Sequence, residues 1–310
     1  MRLSPHPFTL RQLQYLVAVA EQRSFRKAAD LCHVAQPSLS AQIAGLEGAL
    51  GVTFFERGPR QVRVTEAGEQ VVARARRLLA EAEELLQACG GLGDPFRGAW
   101  RLGIIPTVAP YLLPELSRHL RQAFPELAVQ WSEDRTAQLT ALLDRGELDG
   151  ALLALESDIS GLEHAVIGED PFVLALPKAH PLSRRRGPVP ARLLEDESVL
   201  LLEDGHCFRD QALRICAQSG AQELAFRATS LSTLAQMTAQ GTGVTLLPRL
   251  SLGVENRQGE LAILRLGEPE PYRTLALCWR PRAPLARAMA EMAARMQACF
   301  RACCAVEAIS

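Results

Sequence analysis

Two cysteines nine residues apart carry the plainest chemistry in this sequence, in the stretch Glu203-Asp-Gly-His-Cys-Phe-Arg-Asp-Gln-Ala-Leu-Arg-Ile-Cys216. Asp204-Gly205 reads as a turn, so Cys207 falls where a helix would begin. A helix N-terminus offers free N–H groups and a positive dipole end, and both stabilise a thiolate. His206 and Arg209 are close enough in the chain to lower the thiol pKa further if they face it. A thiolate that is also open to solvent attacks a peroxide and becomes a sulfenic acid. Cys216 follows beside Leu213 and Ile215, in a run that reads as helix. At about 1.5 Å rise per residue, nine residues of unbroken helix hold two Cα atoms roughly 13 Å apart. A disulfide needs them within about 7 Å. Any bridge between these thiols therefore requires the helix to unwind or shift, which would make it a conformational switch. Spacing alone leaves a plainer reading open, with Cys216 a core cysteine and Cys207 an incidental thiol, since most cysteines are inert.

The chain around this stretch must supply the elements that hold it. A length of 310 residues suits two or three domains with sizeable cores. A hydrophobic content of 48% and a charged content of 22% are ordinary for a soluble globular protein. No apolar run reaches the roughly 18 residues of a membrane span, and the start has no apolar signal core, so a cytoplasmic protein is expected. Eight cysteines in that compartment point to redox or metal roles rather than structural disulfides. No Cys-x-x-Cys occurs and Cys303-Cys304 has no nearby histidine, so neither a metal nor a cofactor is expected. Residues 1–65 hold eight Arg/Lys against four acids, which leaves the remainder at −5 within a net charge of −1. A basic front end on an acidic body hints at nucleic acid.

In that front end Thr9 caps a helix running to about Gln22, with Leu10, Leu13, Leu16, Val17 and Ala20 on one face. Ser24 caps a short second helix, Phe25 to about Leu31. A tight connection leads to a third helix beginning Gln36-Pro37, where proline suits the first turn. Leu39, Ile43, Leu46 and Leu50 form its buried stripe. The small residues Ala41, Ala44, Gly45 and Gly48 lie opposite with Ser38, so Ser38, Ser40 and Gln42 can reach base edges in a major groove. Alanine and glycine are also simply abundant throughout this sequence. Phe54 to Thr65 then reads as strand, Gly-Pro turn and strand, with Arg57, Arg60 and Arg63 placed for phosphates or the minor groove.

Phe8-Thr-Leu-Arg-Gln-Leu-Gln-Tyr-Leu16, Ser24-Phe-Arg-Lys-Ala-Ala29, Gln36-Pro-Ser-Leu-Ser-Ala-Gln-Ile43 and Phe55-Glu-Arg57 together resemble the winged helix-turn-helix of LysR-type transcription regulators. Residues 66–90 follow as one long helix in which Val71, Ala75, Leu78, Ala82, Leu85 and Cys89 step in a heptad pattern. It reads as a dimerisation helix, with residues 91–98 as a hinge. From residue 99 short apolar strands alternate with helices: strands at 102–105, 128–131, 151–155, 172–176, 199–202 and 244–247, and helices near 111–122, 136–145, 208–219, 230–240 and 284–302. This pattern argues for an α/β body. The family resemblance implies two subdomains like those of periplasmic binding proteins, 99–168 with 271–310 and 169–270, around a cleft. Ligands in such sheets lie beyond strand ends at helix N-termini, where Thr107, Thr136 and Thr229-Ser230 fall; each hydroxyl could instead be a helix cap.

Ile105-Pro-Thr-Val-Ala-Pro-Tyr-Leu-Leu-Pro114, the His206-Cys-Phe-Arg-Asp210 segment, Phe226-Arg-Ala-Thr-Ser-Leu231 and Gly243-Val-Thr-Leu-Leu-Pro248 are similar to the hydrogen-peroxide-sensing OxyR branch of that family. The resemblance implies that Cys207 is the peroxidatic thiol and Cys216 the resolving one. It also implies that Thr107, Thr136 and His206 help place peroxide beside the thiol, with Arg209 the thiolate-activating candidate that position in the chain supplies, and that Gln36 and Pro37 join the DNA contacts. The implied partners are inverted-repeat duplex DNA, further copies of the chain as a dimer of dimers, and RNA polymerase, with peroxide as the signal and no membrane. The resolving segment Leu213–Gln218 differs in detail from that branch. Cys299, Cys303 and Cys304 are either inert or accessory oxidation sites. Cys32, Cys89 and Cys278 read as packing residues. A metabolite-responsive regulator would not need the resolving thiol, and a thiol peroxidase would not need the basic head, so neither accounts for the whole chain.

Overall fold

A computed structural model describes residues 6–58, 62–90, 94–195, 197–281, 283 and 285–307. The chain divides into two compact units, a first that takes in residues 1–92 and a second that takes in 93–143 and 148–310.

The first unit opens with α1 (Leu10–Gln22), where Thr9 and Gln12 form a reciprocal capping box. Ser24 caps α2 (Phe25–Leu31), and α3 (Gln36–Leu50) carries its proline in the first turn. Leu16, Val19, Leu39, Ile43 and Leu46 are fully buried in the core these helices share. The wing pairs β1 (Phe55–Arg57) with β2 (Val62–Val64), Glu56 opposite Arg63. Helix α4 (Glu66–Gly90) packs on α1 through Val72 and Ala75. Gly68 is required at its start, because a Cβ there would sit 2.4 Å from the Phe54 carbonyl oxygen. Further along, Leu78 and Leu85 are 41% and 65% exposed. The side chain of Cys89 and residues 91–93 of the expected hinge lie outside the described residues.

The second unit runs β3 (Gly98–Ile104), α5 (Ala109–Ala123), β4 (Leu127–Glu133), α6 (Thr136–Asp144), β5 (Gly150–Ala154) and β6 (Glu163–Pro177). It continues with β7 (Ser198–Leu202), α7 (Cys207–Ser219), β8 (Gln222–Ala228), α8 (Leu231–Ala239), β9 (Val244–Pro248), α9 (Leu252–Glu255), β10 (Leu261–Arg265), β11 (Tyr272–Trp279) and α10 (Ala286–Glu307). The strands form one sheet in the order β4-β3-β5-β11-β6-β9-β7-β8, with β10 also on β6. Strand β6 is the seam: Glu163–Pro171 pairs with β11, and Phe172–Pro177 pairs with β9 and β10. Two separate hydrophobic cores result. The chain passes from the first to the second between Ile167 and Phe172, and returns between Leu266 and Leu275. This is the two-lobed α/β architecture.

Strands β8, β10 and β11 and the first half of β6 were absent from the sequence expectation. Polar residues break their apolar runs: Glu223 and Arg227 in β8, Glu163 and His164 in β6, and Arg273 in β11.

Candidate functional site

The α3 face expected to meet DNA is solvent-facing: Gln36, Pro37, Ser38, Ala41, Gln42, Ala44, Gly45 and Gly48 are exposed, and Ser40 is half-buried. Ala35 precedes the helix with no side-chain cap, which leaves the first N–H groups open to an anion. Arg63 is exposed on β2. Arg60 and the side chain of Arg57 lie outside the described residues.

In the second unit Cys207 is the first residue of α7, with His206 in the cap position. The Phe208 backbone N–H points at the thiol, as the helix start requires. Cys207 is half-buried against the first lobe's core, and burial raises its pKa; the charge of Arg273, the Thr136 hydroxyl and the Phe208 N–H oppose that rise, while Asp210 adds to it. The expected depressed, freely exposed thiolate is thus replaced by a sheltered thiol whose ionisation depends on its neighbours. Thr136 is buried, and among the described residues its hydroxyl makes no hydrogen bond of ordinary geometry although it stands beside Cys207. His206 is buried too. Its pKa is lowered, first by burial and then by the charge of Arg135, with Glu203 opposing.

Arg209 departs from expectation. Its guanidinium bonds the Asp204 carboxylate at 2.9 Å, the Leu202 carbonyl at 3.0 Å and Glu223 at 2.9 Å. Residues two apart on a helix point to different sides, so Arg209 braces the turn before Cys207 rather than the thiol itself. Arg135 holds the same turn from the other lobe, pairing with Glu203 and donating to the Asp204 carbonyl at 3.1 Å. Gly205 is needed between them: its φ is +93°, and a Cβ would lie 3.0 Å from the Arg135 guanidinium.

The charge that does reach Cys207 belongs to Arg273 on β11, which the sequence reading missed. It is 0% exposed and its partner Asp170 is 1% exposed. Arg273 donates twice to Asp170, at 3.0 and 2.8 Å, and also to the Thr107 hydroxyl at 2.7 Å and the Thr107 carbonyl at 3.0 Å. The other Asp170 oxygen accepts from the Leu250 N–H at 2.9 Å. Thr107 therefore serves the site by holding Arg273. The signal was available: one arginine in the apolar run Leu275–Trp279 and its flank demands a buried partner. Gln211, also missed, is buried beside Glu156 with its Oε1 unpartnered among the described residues.

Cys216 is buried in the second lobe's core, and burial with the charge of Glu223 pushes its pKa up to about 11. The two thiols thus ride one unbroken helix but belong to different cores, and neither is in a disulfide. A cavity of about 620 Å³ opens beside Cys207, lined by Thr136, Glu156, Asp158, Asp210 and Arg214 among others. Ser230, by contrast, is a plain cap, accepting from the Thr233 N–H at 3.3 Å.

A winged helix-turn-helix head, a long helix and a two-lobed α/β body define the class: a DNA-binding regulator with a built-in sensing domain. Residues 10–69 match the bacterial regulatory helix-turn-helix protein, lysR family, and residues 93–300 match the LysR substrate binding domain. The chain is 44% identical over 290 residues to the DNA-binding transcriptional dual regulator OxyR of Escherichia coli K12, covering 93% of this chain and 95% of that one. Among solved structures, full-length OxyR from Pseudomonas aeruginosa, in a cysteine-to-aspartate variant, superposes with a TM-score of 0.79 at 33% identity, covering 94% of this chain and 96% of that one. A peroxide-bound cysteine-to-serine mutant of Corynebacterium glutamicum OxyR gives 0.67 at 34%, covering 98% of both chains. The chain belongs to the LysR family of transcription regulators and, within it, to the OxyR branch. It is a regulator rather than an enzyme.

Proposed function

We propose that this chain is a hydrogen-peroxide-sensing transcription regulator switched by a reversible disulfide between Cys207 and Cys216. The observation that carries this reading is the placement of both thiols on α7 with their side chains in different cores. The Cys207 thiolate attacks one peroxide oxygen, the O–O bond breaks, and the departing hydroxide is protonated to water, leaving a sulfenic acid. Cys216 then attacks the sulfenic sulfur, expels a second water and closes the disulfide. Peroxide gains the two electrons that the thiols lose. Arg273, Thr136 and the Phe208 N–H stabilise the attacking thiolate, Thr107 and Asp170 position Arg273, and His206 fills the position before the helix without a capping side-chain bond. The alternative signal, a metabolite held in the same cavity, leaves the paired thiols without a task.

At the other end, Gln36, Pro37, Ser38, Ser40 and Gln42 read base edges, and Arg57, Arg60 and Arg63 meet phosphates or the minor groove of duplex DNA. Leu78 and Leu85 give α4 an apolar stripe for a second copy, each worth about 1.5–3 kcal/mol when buried. A paired head calls for inverted half-repeats, read by a dimer of dimers in the cytoplasm that engages RNA polymerase. Among the described residues no helix is long and apolar enough to cross a membrane.

The test is footprinting of promoter DNA with reduced and with peroxide-treated protein, paired with disulfide mapping. The reading requires the protected region to change between the two states in step with the Cys207–Cys216 bridge; an unchanged footprint on fully bridged protein rejects it. Arg63→Ala should weaken binding to all sequences alike and lower the salt slope by about one, as expected for one lost phosphate contact. Unaltered affinity and slope would remove Arg63 from the interface.

A further inference from the structure

Helix α10 carries three thiols that the switch above does not use. Cys299 is buried and Cys303, one turn further on, is half-buried, so the two share a face of the helix. The Cys299 and Cys303 thiols lie within reach of one another. The Arg118 guanidinium of α5 stands close to both and is itself held by Glu115, with its Nε 3.2 Å from that carboxylate. Burial pushes Cys299 up to about 12, and negative charge on Cys303 and the hydrogen bond between them add to the rise. Cys303, the more exposed of the two, is the sulfur that peroxide reaches first, with Cys299 behind it on the same face. A neighbouring thiol and a guanidinium beside a partly exposed sulfur are the ingredients of an activated cysteine. Four residues of α-helix place the Cα atoms about 6 Å apart, inside the range a disulfide accepts. The side chains need only a local loosening of the last turns to meet.

We propose that Cys299 and Cys303 form a second peroxide-oxidisable pair, with Cys303 as nucleophile and Cys299 as the resolving thiol. The Cys303 thiolate takes one oxygen from hydrogen peroxide, whose other oxygen leaves as water after protonation. Cys299 then displaces a second water from the sulfenic acid, and two thiols have become one disulfide while peroxide has been reduced. Cys303 has neither a buried arginine clamp nor the cavity beside Cys207, so this pair oxidises at higher dose and reports severe exposure. The pair stands on its own geometry; only its place after Cys207 in the dose series rests on the function proposed above.

Graded hydrogen peroxide on the full-length Cys207→Ser protein, followed by alkylation and peptide mapping, tests this. A Cys299–Cys303 disulfide is expected at about tenfold the dose that closes Cys207–Cys216 in the unchanged protein. Cys299→Ser should leave a sulfenic acid on Cys303 that a 1,3-dione traps, and Arg118→Gln should slow its formation about threefold or more. The proposal is overturned if Cys299 and Cys303 stay fully alkylated until Cys278 oxidises, or if Cys303 pairs elsewhere. Mapping the unchanged protein at the same doses gives the same readout should the serine variant fold poorly. A Cys299–Cys303 bridge with Cys207 still reduced would reject the proposed switch and leave this pair standing.

Discussion

Cys207→Ser should abolish the transcriptional response to hydrogen peroxide and leave a reporter at its uninduced level. Serine preserves the size of the side chain at the start of α7, so the fold survives, but its hydroxyl cannot follow the oxidation ladder. Cys216→Ser should still oxidise at Cys207 yet give a weaker or shorter response, because no bridge traps the altered form. The bridge itself must be strained. Bringing the thiols together drags Ile215 or Phe208 out of the second lobe's core, and each such side chain is worth about 1.5–3 kcal/mol when buried. A loss of about 1.5–3 kcal/mol raises the reduction potential by roughly 30–65 mV, since 30 mV corresponds to about 1.4 kcal/mol. Cellular thiols would then reset the sensor readily. Reporter assays on both serine variants and a redox titration of the unchanged protein check these outcomes. A full response from Cys207→Ser, or a potential in the range of structural disulfides, would overturn the switch.

Asp170→Ala should be among the most destabilising single changes in the sensing domain, costing about 3–5 kcal/mol. The reason is Arg273. Its charge cannot be neutralised, it has no exposed surface, and two of its hydrogen bonds go to Asp170. Removing the carboxylate leaves a buried cation with, among the described residues, the Thr107 oxygens and the Phe208 ring for company, and also orphans the Leu250 N–H. The displaced guanidinium would no longer stabilise a thiolate at Cys207, so peroxide reactivity should fall along with stability. Urea unfolding of the variant, with the rate of Cys207 oxidation measured well below its midpoint, separates the two effects. A midpoint unchanged from the parent protein would mean that the pair contributes little.

The elements legible in the sequence were those whose signals are local. Thr9 and Gln12, Ser24 before Phe25, and Pro37 in a first turn announce helix starts from a few residues each, and the head came out almost complete. The thiol pair and the helix that bears it were equally visible. What sequence proximity got wrong was Arg209, because two steps along a helix turn a side chain away. What it could not reach was the Arg273–Asp170 pair, whose members lie 103 residues apart and meet only because β6 and β11 run side by side. The burial of Cys207 was hidden for the same reason: the first lobe that shelters it is far away in the chain.

Strand β6 has a mechanical consequence. Its two halves are hydrogen-bonded into different lobes, and β11 and β10 flank it on the return path. Two lobes joined by paired strands move relative to one another through twist and bend of those crossings, not through a loose linker. In the proposed switch, free energy released at α7 would redraw the domain's outer contour where that helix lies, and a neighbouring copy resting there would read the message as surface shape.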